Sequence, residues 1–291
     1  MAININDGLW GCNKPIVIPY GQTSSGKTTA LVRLIKYLQD NDYSYNLCNT
    51  FHRHYYPDVK IDQIQSFFTK QLTRPINEIE GNADAFLCNI NKGNEAICRF
   101  LESPGENLFA LQDAAENDIY RDGGIMIEDE FQYLLDIINN RQYKKIWVFL
   151  MDPGFTQDLK REKPAYIARI KQIAKTLGPN DNVIFLVNKY DKVTKSFAPI
   201  IEEEGLKGYI NHLYDGILDM EPFTSKTIRW WWPFSEKTVE HFRIVPFCSY
   251  DEIIQAKGTD GKRLPTQYDY SDKVYPQNLW NTIKDAIMNK F

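Results

Sequence analysis

Gly21-Gln22-Thr23-Ser24-Ser25-Gly26-Lys27-Thr28 is the stretch on which the fold turns. It matches G-x-x-x-x-G-K-[ST] at every fixed position. Glycines let a backbone wrap closely around a polyphosphate with successive N–H groups pointing inward. Lys27 supplies a point charge to terminal phosphates, and the Thr28 hydroxyl is placed to ligate Mg²⁺. Gly21, Ser24, Ser25, Gly26 and Thr29 complete the expected phosphate cradle, and the helix starting there adds the positive end of its dipole.

The flanks fit that motif. Pro15 to Tyr20 (PIVIPY) reads as a strand running into the cradle. Pro19 is unusual so near the end of a central strand, and is expected where pairing stops. After the cradle, Leu31, Leu34, Ile35 and Leu38 share one helical face. Ala85 to Ile90 and Ala96 to Leu101 read as two strands around Asn91-Lys92-Gly93-Asn94. A helix is expected from Ile127, with Phe131, Leu134, Leu135 and Ile138 on one side. Ile146 to Met151 and Val183 to Val187 are continuous apolar runs, the pattern of strands buried on both faces. A helix from Pro164 to Leu177 is expected between them, with Pro164 in its first turn and Gly178 past its end. Leu206 to Leu218 reads as helical and Phe242 to Phe247 as a last strand. A closing helix carries Leu279, Ile283 and Ile287, with Trp280 alongside. Strands alternating with helices predict an α/β fold: a mostly parallel P-loop sheet with helices on both faces. The expectation is one domain over 1–291, with long insertions near 41–83, 107–145 and 219–240.

Composition narrows the function classes. With 43% hydrophobic residues among 291, the chain can bury a sizeable core, which excludes a disordered or fibrous protein. A net charge of −4 gives no global attraction to nucleic acid or anionic membrane. The five cysteines form no C-x-x-C pair, so neither a disulfide framework nor a zinc site is indicated. The N-terminal residues lack a secretory pattern, and no apolar run is long enough to span a bilayer. A cytoplasmic protein without a nucleic-acid or membrane partner is expected.

Asn188-Lys189-Tyr190-Asp191 directly follows the apolar run ending at Val187. Here the chain resembles the Ras-like GTPases of the translation-factor class, whose guanine-reading motif is N-K-x-D. The resemblance implies GTP or GDP as the bound nucleotide, with Mg²⁺. Asp191 would accept hydrogen bonds from guanine N1 and the N2 amino group. Adenine presents no such pair of donors and would leave a buried acceptor unpaired. The Lys189 stem would pack over the base, and Asn188 would tie the loop to the cradle.

The same family order implies further roles. Its D-x-x-G motif corresponds to Glu102-Ser103-Pro104-Gly105, with Glu102 in place of Asp as the Mg²⁺-supporting carboxylate. Gly105 would sense the γ-phosphate, and Glu106 stands where the family carries a water-orienting Gln. Asp152, at the end of WVFLMD, is the competing acid, and chain order favours Glu102. Ser249 and Tyr250 stand in the place of the S-A-K motif, which contributes an amide to guanine O6. Thr73 is the nearest candidate for the switch-I ligand of Mg²⁺, with Thr50 and Thr69 open. The resemblance runs in motif order from Gly21 to Tyr250, with a much longer gap from Thr28 to Glu102 than in minimal Ras-like domains.

Other features have ordinary explanations beside functional ones. Arg53 and Arg74 could serve as a finger in cis, although solvated arginines are the commoner case. His52 and His54 lack a third ligand nearby. Trp230-Trp231-Trp232-Pro233-Phe234 either packs or offers a partner surface, and Glu202-Glu203-Glu204 suits a solvated helix face. The expected activity is slow GTP hydrolysis coupled to a switch, with a protein effector or activator as partner. Two rivals differ in class: a nucleotide-binding regulatory module with little hydrolysis, and an ATP-using small-molecule kinase.

Overall fold

The computed structural model describes residues 14–22, 25–55, 85–103, 133, 136–137, 140–154, 157–220, 223, 226–229, 236–239, 242–248, 253–254, 267–268 and 271–290. Its frame is a seven-stranded sheet. Three central strands are the apolar runs: β1 Ile16–Tyr20, β5 Lys145–Met151 and β6 Asn182–Val187, with every residue buried. Along the chain, β2 Tyr43–Leu47, β3 Phe86–Lys92 and β4 Glu95–Glu102 come between β1 and β5. Two short hairpins flank β9 Phe242–Pro246: β7 Lys226–Arg229 with β8 Glu236–Val239, and β10 Ile253–Ile254 with β11 Gln267–Tyr268. The large sheet has the order β2-β3-β4-β1-β5-β6-β9. Four of its pairings, from β4 across to β9, are parallel, and only β2–β3 and β3–β4 are antiparallel. The result is a mostly parallel α/β sheet.

Period-two alternation splits the central side chains into two cores. Trp147, Phe149 and Met151 face one side with Ile16, Ile18 and Tyr20. Ile146, Val148 and Leu150 face the other with Val17. Helices α1 Lys27–Gln39 and α6 Val274–Ile287 cover the second face through Leu31, Leu34, Leu279 and Trp280. The first face is covered by Phe51 of α2 Asn49–Tyr55, by Tyr166 and Ile170 of α3 Gln157–Thr176, and by Tyr209 and Ile210 of α5 Ala198–Leu213. A short α4 Tyr190–Ser196 leads into α5. Among the described residues no helix is long and apolar enough to cross a membrane.

Several boundaries differ from the sequence expectation. Pro164 lies inside α3, which begins at Gln157, not in its first turn. The polar start of that helix carries no apolar period to reveal it. The helix expected at Leu206 to Leu218 begins at Ala198, bends where Gly205 takes φ 67°, and ends at Leu213, with a 3₁₀ turn at Ile217–Asp219. The segment near 41–83 contains β2 and α2. Of the helix expected from Ile127, Tyr133, Asp136 and Ile137 are helical and the rest lies outside the described residues. The expected hairpin closes through Gly93 (φ 60°) and Asn94, with Lys92 opposite Glu95. Pro19 pairs in register with Val148, while β4 accompanies β1 only along Ile16 and Val17. The missing donor of Pro19 thus falls beyond the β4 ladder.

Candidate functional site

The cradle lies at the carboxyl end of β1, where a parallel sheet opens its ligand crevice. Gly26 adopts φ 91° and ψ 25°, a left-handed conformation that a side chain would strain. Helix α1 starts immediately after it, without a side-chain cap and without an acidic residue in its first turn. That end presents amides and a positive dipole to an anion. Lys27 is only 6% exposed, and its ammonium donates to the carbonyls of Gly21 at 2.8 Å and Gln22 at 3.1 Å. Ser25 closes a turn onto the Gln22 carbonyl, while among the described residues its buried hydroxyl has no hydrogen-bond partner. Thr29 is half-buried in the first turn of α1.

Gly21 is fixed by close approach. A Cβ there would stand 2.6 Å from Ser25 Oγ and 3.0 Å from Leu150 Cβ. The hydroxyl can rotate, but Leu150 Cβ is anchored to β5. Gly21→Ala is therefore expected to cost about 1–3 kcal/mol through overpacking. Thermal melts check the stability loss, and phosphate affinity should fall with it.

Thr28 Oγ1 donates to Glu102 Oε1 at 2.5 Å, joining the first turn of α1 to the end of β4. Glu102 is 5% exposed, and among the described residues its Oε2 has no hydrogen-bond partner. A hydroxyl beside a partly unsatisfied carboxyl is a hard-oxygen donor set that suits Mg²⁺, which takes one or two protein ligands and completes its shell with phosphate and water. Among the described residues no group of three or more His, Cys, Asp or Glu could hold a metal unaided. Burial raises the Glu102 carboxyl above its ordinary value, against the opposing pull of the Thr28 hydrogen bond and the Lys27 charge.

A carboxyl with a raised folded-state pKa binds its proton more tightly folded than unfolded. Its stabilisation is present below the unfolded value of 4.5 and is lost as pH rises through the folded value. In chelator, Glu102→Gln should flatten this decline above pH 4.5 and raise Tm at neutral pH. Melts of both proteins across pH check the sign.

Asp152, the competing acid, meets Lys189 rather than Thr28. It is 1% exposed, accepts the Gly154 amide at 2.8 Å and pairs with Lys189 Nζ at 2.6 Å. Among the described residues the carboxylate touching Thr28 is Glu102.

The loop after β6 stands directly against the cradle. Asn188 is fully buried; its amide donates to the Met151 carbonyl at 3.1 Å, and its side-chain Nδ2 to the Ser25 carbonyl at 2.6 Å. Lys189 takes φ 53° and caps α4. Asp191 follows in the first turn of α4 and is exposed. The Cys248 thiol reaches Asp191 Oδ1 at 3.6 Å. The main chain of Phe247 exchanges hydrogen bonds with Val187 and Tyr190, which places the segment after β9 beside this loop.

The structure thus brings Gly21, Ser25, Gly26, Lys27, Thr28, Thr29, Glu102, Asn188, Lys189 and Asp191 to one end of the sheet. Ser24, Thr73, Gly105, Glu106, Ser249 and Tyr250 lie outside the described residues, as do Thr69, Arg74 and the Trp230–Trp232 cluster. His54 packs edge-on against Tyr55 with centroids 4.5 Å apart, an ordinary structural contact. Two connections escape a reading of the sequence. The Asp152–Lys189 pair joins the ends of two adjacent parallel strands, and Arg33 reaches from α1 to the Cys248 carbonyl. The signal for the second is a single cation within the apolar run Ala30 to Ile35.

No protein-family model matches the chain, and no curated protein matches it either. Among solved structures, one described as nucleolar GTP-binding protein 1 from Plasmodium falciparum is similar, at 11% identity and a TM-score of 0.43. That match covers 96% of this chain and 88% of the other. The Ski7 GTPase-like domain of S. cerevisiae bound to GTP is 12% identical with a TM-score of 0.44, covering 100% of this chain and 54% of the other. Its form bound to GDP and inorganic phosphate is 12% identical with a TM-score of 0.40, covering 85% and 46%. The chain thus spans about half the length of the Ski7 chains. By its strand order and its glycine-bounded turn, the chain has a mostly parallel α/β fold with the Asn188–Asp191 loop set against the cradle at the end of β1.

Proposed function

We propose that this chain binds GTP and GDP with Mg²⁺ and hydrolyses GTP slowly to GDP and phosphate, as a conformational switch read by a protein effector or activator. The observation that carries the reading is the hydrogen bond from Asn188 Nδ2 to the Ser25 carbonyl. It joins a loop bearing an exposed carboxylate to a phosphate cradle, so one ligand can engage both. Asp191 reads the base, and a guanine N1–H and N2 amino group are the donors it fits.

The described chemistry is mostly binding and orientation. Lys27 exchanges its two carbonyl partners for the β- and γ-phosphates, and the amides at the start of α1 hold the remaining oxygens. Thr28 and Glu102 are the residues that would hold Mg²⁺. When bound, that ion supplies positive charge to the phosphate oxygens as charge develops in transfer. Thr73 would add the switch-I hydroxyl, Gly105 would sense the γ-phosphate and Glu106 would orient water. A carboxylate beside phosphate is a poor substitute for the usual amide, which is why turnover is expected to be slow. The chain acts as one cytoplasmic domain, with the segments near 41–83, 107–145 and 219–240 as insertions.

One observation favours a second reading, a regulatory module that binds but barely hydrolyses. Glu102 is buried and shifted towards its neutral form, which weakens it as a metal support. Single-turnover hydrolysis of bound GTP with Mg²⁺ separates the two. Phosphate release that exceeds the solution rate and disappears in chelator supports the GTPase; GTP recovered intact supports the module.

A further inference from the structure

Arg33 is a cation sealed inside the protein, 1% exposed, on the helix that begins with Lys27 and Thr28. A buried guanidinium is costly unless it finds hydrogen-bond partners. Its NH1 donates to the Cys248 carbonyl at 2.6 Å, beyond the end of β9. Its NH2 donates to the Asp272 carbonyl at 2.5 Å, just before α6. Its Cζ lies 5.7 Å from the ring centroid of Tyr275, in the first turn of α6. One side chain of α1 thus joins two other segments, the end of β9 and the start of α6.

The Cys248 end of this clamp leads to the base-reading carboxylate. The Cys248 thiol donates to Asp191 Oδ1, and burial keeps that thiol above its ordinary value and protonated at neutral pH. Tyr275 meets the ring of Tyr190, the neighbour of Asp191, edge-on at 6.5 Å. Asp191 itself is exposed, in the first turn of a helix with no side-chain cap, so its position depends on these neighbours.

We infer that Arg33 is a positioning residue for base recognition: through Cys248 and Tyr275 it sets where Asp191 stands relative to the phosphate cradle, making the start of α6 part of the nucleotide site. The inference rests on the proposed binding of GTP. The planar guanidinium matters because two diverging donors fix two carbonyls at once, which a lysine ammonium cannot reproduce in the same geometry. A displaced Asp191 loses both guanine hydrogen bonds. ITP, which lacks the 2-amino group, has only one such bond to lose, and tripolyphosphate has none.

The test is a titration of GTP, ITP and tripolyphosphate with Mg²⁺ against wild type, Arg33→Lys and Tyr275→Leu. Arg33→Lys is expected to lower the GTP-over-ITP preference by roughly tenfold, the scale of a small misplacement at a recognition group. Tripolyphosphate affinity should stay within about twofold, because a displaced Asp191 leaves the phosphate contacts untouched. Tyr275→Leu should act in the same direction with a smaller effect. An unchanged GTP-over-ITP ratio overturns the inference, as does a parallel fall in all three ligands, which marks Arg33 as a support for α1 alone. If Arg33→Lys does not fold, the ratio in Tyr275→Leu decides. A wild type that does not prefer GTP to ITP instead sinks the GTP-binding reading itself.

Discussion

Asp191→Asn is expected to weaken GTP binding by roughly two to four orders of magnitude while creating affinity for xanthosine triphosphate. The wild-type carboxylate offers two acceptors to guanine N1–H and N2–H. Each such bond to a charged acceptor is worth about 1.5–3 kcal/mol. Losing the charge and one acceptor therefore removes roughly 3–6 kcal/mol, and about 1.4 kcal/mol is a factor of ten in affinity. Xanthine presents a carbonyl at C2, which the new amide can meet with a donor. Asp191 is exposed, so the substitution should shift stability by no more than about 0.5 kcal/mol. The Cys248 thiol can still donate to the Asn carbonyl oxygen, so the loop should keep its place. Calorimetric titration with both nucleotides checks the exchange; guanine preference surviving in the variant would mean that Asp191 does not read the base.

Lys27→Ala should reduce nucleotide affinity by roughly 10²–10⁴-fold, since about two charged hydrogen bonds to phosphate disappear at about 1.5–3 kcal/mol each. The cradle should survive. Without ligand, the Lys27 ammonium meets the carbonyls of Gly21 and Gln22. Leaving those acceptors poorly met costs about 1–3 kcal/mol, roughly 2–10 °C in Tm for a chain of this size. A folded variant with wild-type affinity would refute the phosphate-cradle assignment.

The parts of the fold legible in sequence are those where local pattern and final environment agree. β5 and β6 read as strands because both faces are buried, so every residue from Ile146 to Met151 and from Val183 to Val187 is apolar. The Gly93 turn is legible because its φ of 60° demands glycine chemistry. β2 is not, although Tyr43 and Tyr45 alternate with Ser44 and Asn46. An edge strand buries only one side and stays half polar. The start of α3 is hidden because Gln157 to Lys163 is almost wholly polar, and the bend in α5 because Gly205 interrupts an otherwise helical pattern.

The site divides in the same way. Lys27 and Asp191 are legible because each belongs to a contiguous motif whose spacing carries its chemistry. The Arg33 clamp joins residues 215 positions apart, and no local window contains both. The meeting of Thr28 with Glu102, and the pairing of Asp152 with Lys189, likewise arise only once β1, β4, β5 and β6 lie side by side. Chain order anticipates the first of these contacts. Nothing in order or composition anticipates the second.

The most direct measurement of the central claim is a titration of GTP, GDP and ATP against the wild-type chain with Mg²⁺. Tight binding of GTP and GDP with ATP at least about a hundredfold weaker is the predicted result, since a site built to accept two base donors rejects a base lacking them. ATP binding as tightly as GTP would contradict the role given to Asp191 and favour an ATP-using phosphotransfer enzyme on the same P-loop.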